Sequence, residues 1–240
     1  LAWGIPDLLR KVNYRKEILL AVSILCVLCL SVLTWKQAGH WKDSLTLFDH
    51  AIKVTENNWF IYVNRGLAYN DLGDAKLALE DCGRAIELKP GFPTAYNCRG
   101  IANKVLGNYK QAIEDYDKAI ESKPGFADAY SNRGNAYSNL GNYRQAIEDY
   151  NRAIELKPGF AQAYINRGAA YIRLGNDRQA IENFNKAIEI RPDFAAAYMN
   201  RGLIYLNQGD RISGCRDART ACELGNCKLL EAANAKGACI

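Results

Sequence analysis

Histidine is nearly missing from this sequence. The 240 residues include two, His40 and His50, which leaves little material for histidine-based catalysis or metal binding. Six prolines and 19 glycines exclude collagen-like and proline-rich architectures. Charge of one sign is lacking too: 31 basic and 26 acidic residues give a net +5. That is too balanced for a dedicated nucleic-acid binder, which carries a concentrated basic stripe. No glycine-rich phosphate loop occurs. No cysteine–histidine nucleophile pair stands in a suitable context. Asp115-Tyr116-Asp117 resembles a sugar-nucleotide metal motif in letters only, because Tyr116 falls at a core position of a helix. No enzyme active site, cofactor or metal is expected in this chain. What is present, 49% hydrophobic and 24% charged residues, fits an ordinary folded protein. The first residue is Leu1, so the sequence reads as a processed chain or a piece of a longer one.

One long apolar run stands out. Ile18 to Trp35 is 18 residues without a charge. As a helix it would be about 27 Å long, close to the hydrocarbon thickness of a bilayer. A transmembrane helix over 18–38 is therefore expected. A buried core helix and the apolar part of a signal peptide are the other readings, and no small-x-small cleavage site follows. Arg10, Lys11, Arg15 and Lys16 precede the run, against Lys36 and Lys42 after it. The positive-inside rule puts residues 1–17 on the cytoplasmic side, and everything after Trp35 in the periplasm or a lumen. Tyr14, Trp35 and Trp41 suit the two interfaces. Leu1–Leu9 is also apolar and reads as the end of a preceding membrane segment.

The rest of the sequence repeats itself. Gly66, Gly100, Gly134, Gly168 and Gly202 are spaced by 34 residues, as are Gly73, Gly107, Gly141, Gly175 and Gly209. Tyr62, Tyr96, Tyr130, Tyr164 and Tyr198 follow the same step, with Ala85 to Ala221 and Pro90 to Pro192. Five repeats result: 59–92, 93–126, 127–160, 161–194 and 195–228. Each reads as two helices. In 127–160 the first is expected near Ala127–Leu140, ending at Gly141-Asn142, and the second near Tyr143–Leu156, stopping before Pro158. Small residues recur where helices must approach closely, and large ones fill the spaces between. A single pair cannot bury both its apolar faces, so neighbours must stack. Stepping back from Gly73, Ala85 and Tyr116 reaches Gly39, Ala51 and Phe48. A half-repeat is therefore expected at 39–58, growing directly from the membrane helix.

This pattern resembles the tetratricopeptide repeat family over residues 59–228, about 70% of the chain. The resemblance implies an all-α fold: an α-solenoid of helix-turn-helix repeats, preceded here by the transmembrane helix. It also implies a non-catalytic scaffold that binds a protein or an extended polypeptide. The sequence departs from the family where Arg65, Arg99, Arg133, Arg167 and Arg201 stand in place of the usual leucine. In the last repeat Gly214, Ala218 and Asn226 replace alanine, an aromatic and proline, as the end of an array would.

The arginine column has two readings. Asp81, Asp115, Asp149 and Asp217, with Asn183 in the fourth repeat, recur at a facing level, so pairing within the scaffold is one reading. Ligand-facing arginines are the other. Asn64, Asn132, Asn166 and Asn200 form a row interrupted by Cys98. It resembles the asparagine ladder in the groove of O-linked N-acetylglucosamine transferases, where amides bind the N–H and C=O groups of an extended chain. Helix packing or capping is the competing explanation. Asn97, Ser131, Asn135, Ser138, Asn139, Ile165, Arg173, Met199 and Asn207 are further groove candidates. They form no lysine-rich clamp for acidic tails.

Eight cysteines are present. Cys26 and Cys29 fall in the apolar run. Cys215, Cys222, Cys227 and Cys239 cluster at the C-terminus, where Gly225-Asn226 marks a turn between a helix near 212–224 and a short one near 228–235. An antiparallel hairpin would nest Cys222 with Cys227 and Cys215 with Cys239, making 229–240 a disulfide-stapled cap. Other pairings remain open, and a zinc site lacks the C-x2-C spacing it would want. Cys82 and Cys98 fall on facing helices of adjacent repeats and form a further candidate pair.

The leading functional reading is a membrane-anchored scaffold, held by residues 18–35, that binds protein on the non-cytoplasmic side. No nucleic acid and no small-molecule cofactor are expected. A second reading rests on the stretch 1–58. It resembles the junction in multispanning membrane sugar transferases of the protein O-mannosyltransferase-like group that end in such repeats. This chain would then be their non-catalytic, acceptor-presenting C-terminal part.

Overall fold

Each 34-residue period holds one pair of antiparallel helices, and the turn between them is set by a glycine. The computed structural model describes residues 15–39 and 43–239. The apolar segment and basic loop expected over 1–14, and Tyr14, His40, Trp41 and Lys42, lie outside the described residues. The chain divides into two units, 1–56 and 57–240.

The first unit contains α1 (Arg15–Gly39) and α2 (Ser44–Val54). The Asp43 carboxylate caps α2 by accepting from the Thr46 amide at 2.8 Å. In α1 the side chains described are 20–32 and 34, and all are exposed, with Leu25 at 61% and Val32 at 67%. The expected transmembrane helix over 18–38 is thus helical. Among the described residues, however, no helix is long and apolar enough to cross a membrane.

The second unit is the repeat array. Its pairs are α3 (Trp59–Leu72) with α4 (Ala75–Leu88), α5 (Pro93–Val105) with α6 (Tyr109–Ser122), and α7 (Ala127–Asn139) with α8 (Tyr143–Leu156). Then follow α9 (Ala161–Arg173) with α10 (Asp177–Ile190), and α11 (Ala195–Asn207) with α12 (Arg211–Glu223). A short α13 (Lys228–Ala235) closes the chain. Gly73, Gly107, Gly141, Gly175 and Gly209 all sit at φ between 77° and 85°, which side-chain-bearing residues rarely adopt.

Each second helix packs on the first helix of the next repeat. First helices of neighbouring repeats also approach each other, from α3 against α5 to α9 against α11. Second helices of neighbouring repeats do not, among the described residues. The array therefore bends with the odd-numbered helices α3 to α11 on its inner face and α4 to α12 on its outer face.

The core works by interlocking small and large residues. Ala78, Ala112, Ala146 and Ala180 are fully buried where helices touch. Tyr116, Tyr150 and Phe184 are nearly inaccessible and lie against Gly100, Gly134 and Gly168. A Cβ on Gly134 would come within 2.8 Å of the Tyr150 ring and 3.1 Å of the Ala146 carbonyl oxygen. Gly134→Ala is expected to destabilise the array by about 1–3 kcal/mol through overpacking. Gly83→Ala, where an added Cβ meets nothing within 4 Å, should instead stabilise by up to about 1 kcal/mol. Urea denaturation of the two variants checks this opposite sign.

Both ends of the array depart from this scheme. In the first repeat the ring position is Cys82. It is bonded to Cys98, and the two sulfurs fill the space beneath Gly66. In the last repeat the ring position is Ala218, and Leu229 of α13 reaches Gly202 instead. Cys215 is joined to Cys239 and Cys222 to Cys227, tying α13 to α12. Arg211 donates from Nε to the Ala238 carbonyl at 2.9 Å, and from Nη2 to the Gly237 carbonyl.

Candidate functional site

The arginine column belongs to the scaffold. Arg65 pairs with Asp81 at 2.7 Å, Arg99 with Asp115 at 2.6 Å, Arg133 with Asp149 at 2.6 Å and Arg201 with Asp217 at 2.7 Å. Each pair bridges the two helices of one repeat. Arg133 also reaches Asp117 on the preceding second helix at 2.6 Å. Asp115, Tyr116 and Asp117 are therefore all spent on packing and pairing. Burial pushes the Asp149 carboxyl up, although the hydrogen bond from Arg133 pulls it down. Such pairs select which levels of two helices meet more than they add stability.

The inner face carries the amides. Asn132 on α7 donates to the Oδ1 of Asn97 on α5 at 3.1 Å. Asn166 on α9 donates to the Oδ1 of Asn135 on α7 at 2.8 Å, and the same oxygen accepts from the Tyr150 hydroxyl at 2.7 Å. Gln162 donates to the Oδ1 of Asn166 at 2.8 Å, and Asn139 donates to the Asn135 backbone carbonyl at 2.8 Å. The structure thus joins Asn97 to Asn132, and gathers Asn135, Asn139 and Asn166. It does not bring the other candidates into this network. The Asn64 amide donates to the Phe60 carbonyl of its own helix at 2.8 Å. Asn200 is half-buried on α11, and Arg173 is exposed in the last turn of α9. Asn97, Ser131 and Ile165 are buried, at 6%, 3% and 5% exposure, so their column faces the packing between repeats. Cys98, which interrupts the asparagine row, is committed to the disulfide with Cys82.

A depression of about 330 Å³ opens beside this network. Asn135, Ser138, Asn139 and Asn166 line it, with Lys104, Tyr109 and Tyr150. Burial holds the Lys104 ammonium below its ordinary pKa. Sequence reasoning missed Lys104, Tyr109 and Gln162. Lys104 was findable, because it lies one 34-residue step before Ser138. Tyr150 reads as core from its position, yet its hydroxyl emerges at the network while its ring stays buried. The depression is built from α5, α6, α7, α8 and α9, so a segment bound there would touch three successive repeats.

Comparison with known proteins places these features. The tetratricopeptide repeat model matches residues 59–92 and 127–160, and a second repeat model of the same kind matches 105–141 and 170–209. Together they account for more than half of the chain. The crystal structure of MamA is 28% identical, with a TM-score of 0.59 over 71% of this chain and 96% of that one. YrrB, described as a tetratricopeptide protein with an unusual peptide-binding site, is 23% identical, with a TM-score of 0.58 over 78% of this chain and 97% of that one. PilF from Pseudomonas aeruginosa shares the fold at 18% identity, with a TM-score of 0.67 over 75% of this chain and 86% of that one. Neither repeat model carries the expected link to membrane sugar transferases, which has no support in these similarities. The 34-residue helix pairs, their glycine-aromatic interlock and these matches make the chain a member of the tetratricopeptide repeat family.

Proposed function

We propose that this protein is a membrane-anchored scaffold whose inner face grips an extended polypeptide in an oxidising compartment outside the cytoplasm. The observation that carries the binding reading is the amide-rich depression over α5 to α9. Amides offer both donor and acceptor to a peptide backbone. Lys104 supplies a cation, and the half-buried Tyr109 ring supplies apolar surface for its side chains. Asn135 and Asn166 are already bonded to each other, so the row is pre-organised and loses little entropy when a ligand arrives.

Two further observations support the setting. The three disulfides favour an oxidising compartment. Cys26 and Cys29 are exposed thiols on α1 among exposed apolar side chains. A helix apolar all round needs cover. In this reading a bilayer provides that cover over the uncharged run 18–35 of the sequence.

The test uses the full chain and a displayed library of random heptapeptides. A selected peptide should bind Lys104→Met and Asn139→Ala at least about tenfold more weakly than the parent. Glu148→Ala, on the outer helix α8, should leave affinity unchanged. Equal affinity for all four proteins would remove the inner face from the binding reading.

A further inference from the structure

The fourth repeat breaks the arginine rule on the outer face. In the other four repeats both Nε and Nη2 of the arginine point at one carboxylate, as in Arg65 with Asp81 and Arg201 with Asp217. At Arg167 both acidic partners are replaced by amides. Nε donates to Asn183 Oδ1 at 2.7 Å, and Nη1 donates to Asn151 Oδ1 at 2.6 Å. Asn183 stands where the other repeats place aspartate, and Asn151 where Asp117 serves Arg133. These amides satisfy two donors but leave the charge uncompensated. Nη2, which binds carboxylate in the other four, has no such partner here. Burial lowers the Arg167 pKa, whereas Arg99, Arg133 and Arg201 are raised, with the hydrogen bonds they donate to their aspartates contributing.

The glutamates of α10 pair with other cations. On α10, Glu182 lies 3.6 Å from Arg178 and Lys186 lies 2.8 Å from Glu189. The Asn183 amide nitrogen is turned to the Gln179 carbonyl at 2.7 Å. That leaves Arg167 Nη2 and the Asn151 amide group as donors where α8, α9 and α10 meet. The same groove in the second repeat is a depression of about 360 Å³ lined by Arg99, Asn103, Gln111, Glu114 and Lys118, but there Asp115 occupies the arginine.

We propose that the outer groove between α8 and α10, over Arg167, receives a carboxylate side chain from a bound protein, forming a second docking point opposite the inner face. An incoming carboxylate would take the place that aspartate holds in the other repeats, with a charge-assisted bond to Nη2. The paired repeats on either side keep the site single, which fixes the register of a partner along the array.

Side-chain resonances of the arginine Nε–H groups, recorded on the full chain at constant ionic strength, test this. The probes are N-acetyl-glutamate amide and inorganic phosphate. Arg167, identified by its loss in Arg167→Lys, should shift saturably with the glutamate probe while the four paired arginines do not. Asn183→Asp supplies the missing carboxylate from within and should weaken the response at least about tenfold. Its thermal midpoint should be at least that of the parent, which shows that the variant folds. An unsaturable shift in the parent, or a full response in Asn183→Asp, overturns the site. Saturation by phosphate alone overturns the assignment to a protein carboxylate.

Discussion

Replacing Cys215 and Cys239 together by serine is expected to lower stability by about 3 kcal/mol, the loop entropy that a bridge of this span removes from the unfolded chain. The bond spans 24 residues and holds α13, whose eight residues are too few to stay helical alone. Without it Leu229 and Ala233, at 8% and 4% exposure, lose their hold on the last repeat. Gly202 and Leu206 then face water. The Cys222–Cys227 bond closes only five residues and contributes less. Urea denaturation with and without reductant checks this. The parent midpoint should fall on reduction, and the double variant should start lower and fall less. An unchanged midpoint in the variant would mean that α13 is held by packing alone.

Asp217→Ala is expected to cost about 3 kcal/mol, near the lower end for breaking a buried pair. Asp217 is 2% exposed and Arg201 16%, with bonds of 2.7 and 2.8 Å between them. Removing the carboxylate strands a desolvated guanidinium, for which Asn185 at 2.6 Å offers only a neutral acceptor. Asp217→Asn recreates the Arg167 arrangement and should cost less, about 1–2 kcal/mol. The gap between the two variants separates the loss of charge from the loss of all hydrogen bonding. Arg84 and Glu87 are 53% and 67% exposed, and breaking their solvent-screened pair should leave the denaturation midpoint essentially unchanged. Denaturant midpoints for the three variants decide the matter. Equal losses for Asp217→Ala and Asp217→Asn would show that charge carries none of the effect.

The repeat architecture is legible because its periodicity is physical. Gly100, Gly134 and Gly168 recur since a ring must pass each of them, and Gly107 and Gly141 because the turn needs positive φ. The arginine–aspartate pairs were legible for the same reason, since both columns recur at one level. The site was less legible. Sequence shows which side chains share a helix face, but not where the ring of Tyr150 lets its hydroxyl surface. Nor does it show that Asn166 spends its amide on Asn135. Asn97 and Ser131 read as groove residues from spacing alone, while the tight approach of the first helices buries them. In the apolar run the helix was legible, and the structure starts it at Arg15 rather than residue 18.

The two ends of the array carry its covalent bonds, and the middle carries none among the described residues. Linear arrays ordinarily fray from their termini inward, because a terminal unit has one neighbour instead of two. Here Cys82–Cys98 clamps the first two units and the cap clamps the last, so the least protected amide protons should belong to the third and fourth. Those same units hold the amide depression on one side and Arg167 on the other. A polypeptide seated on either side would act as the missing clasp, so its arrival would be read as slowed exchange in the centre of the protein.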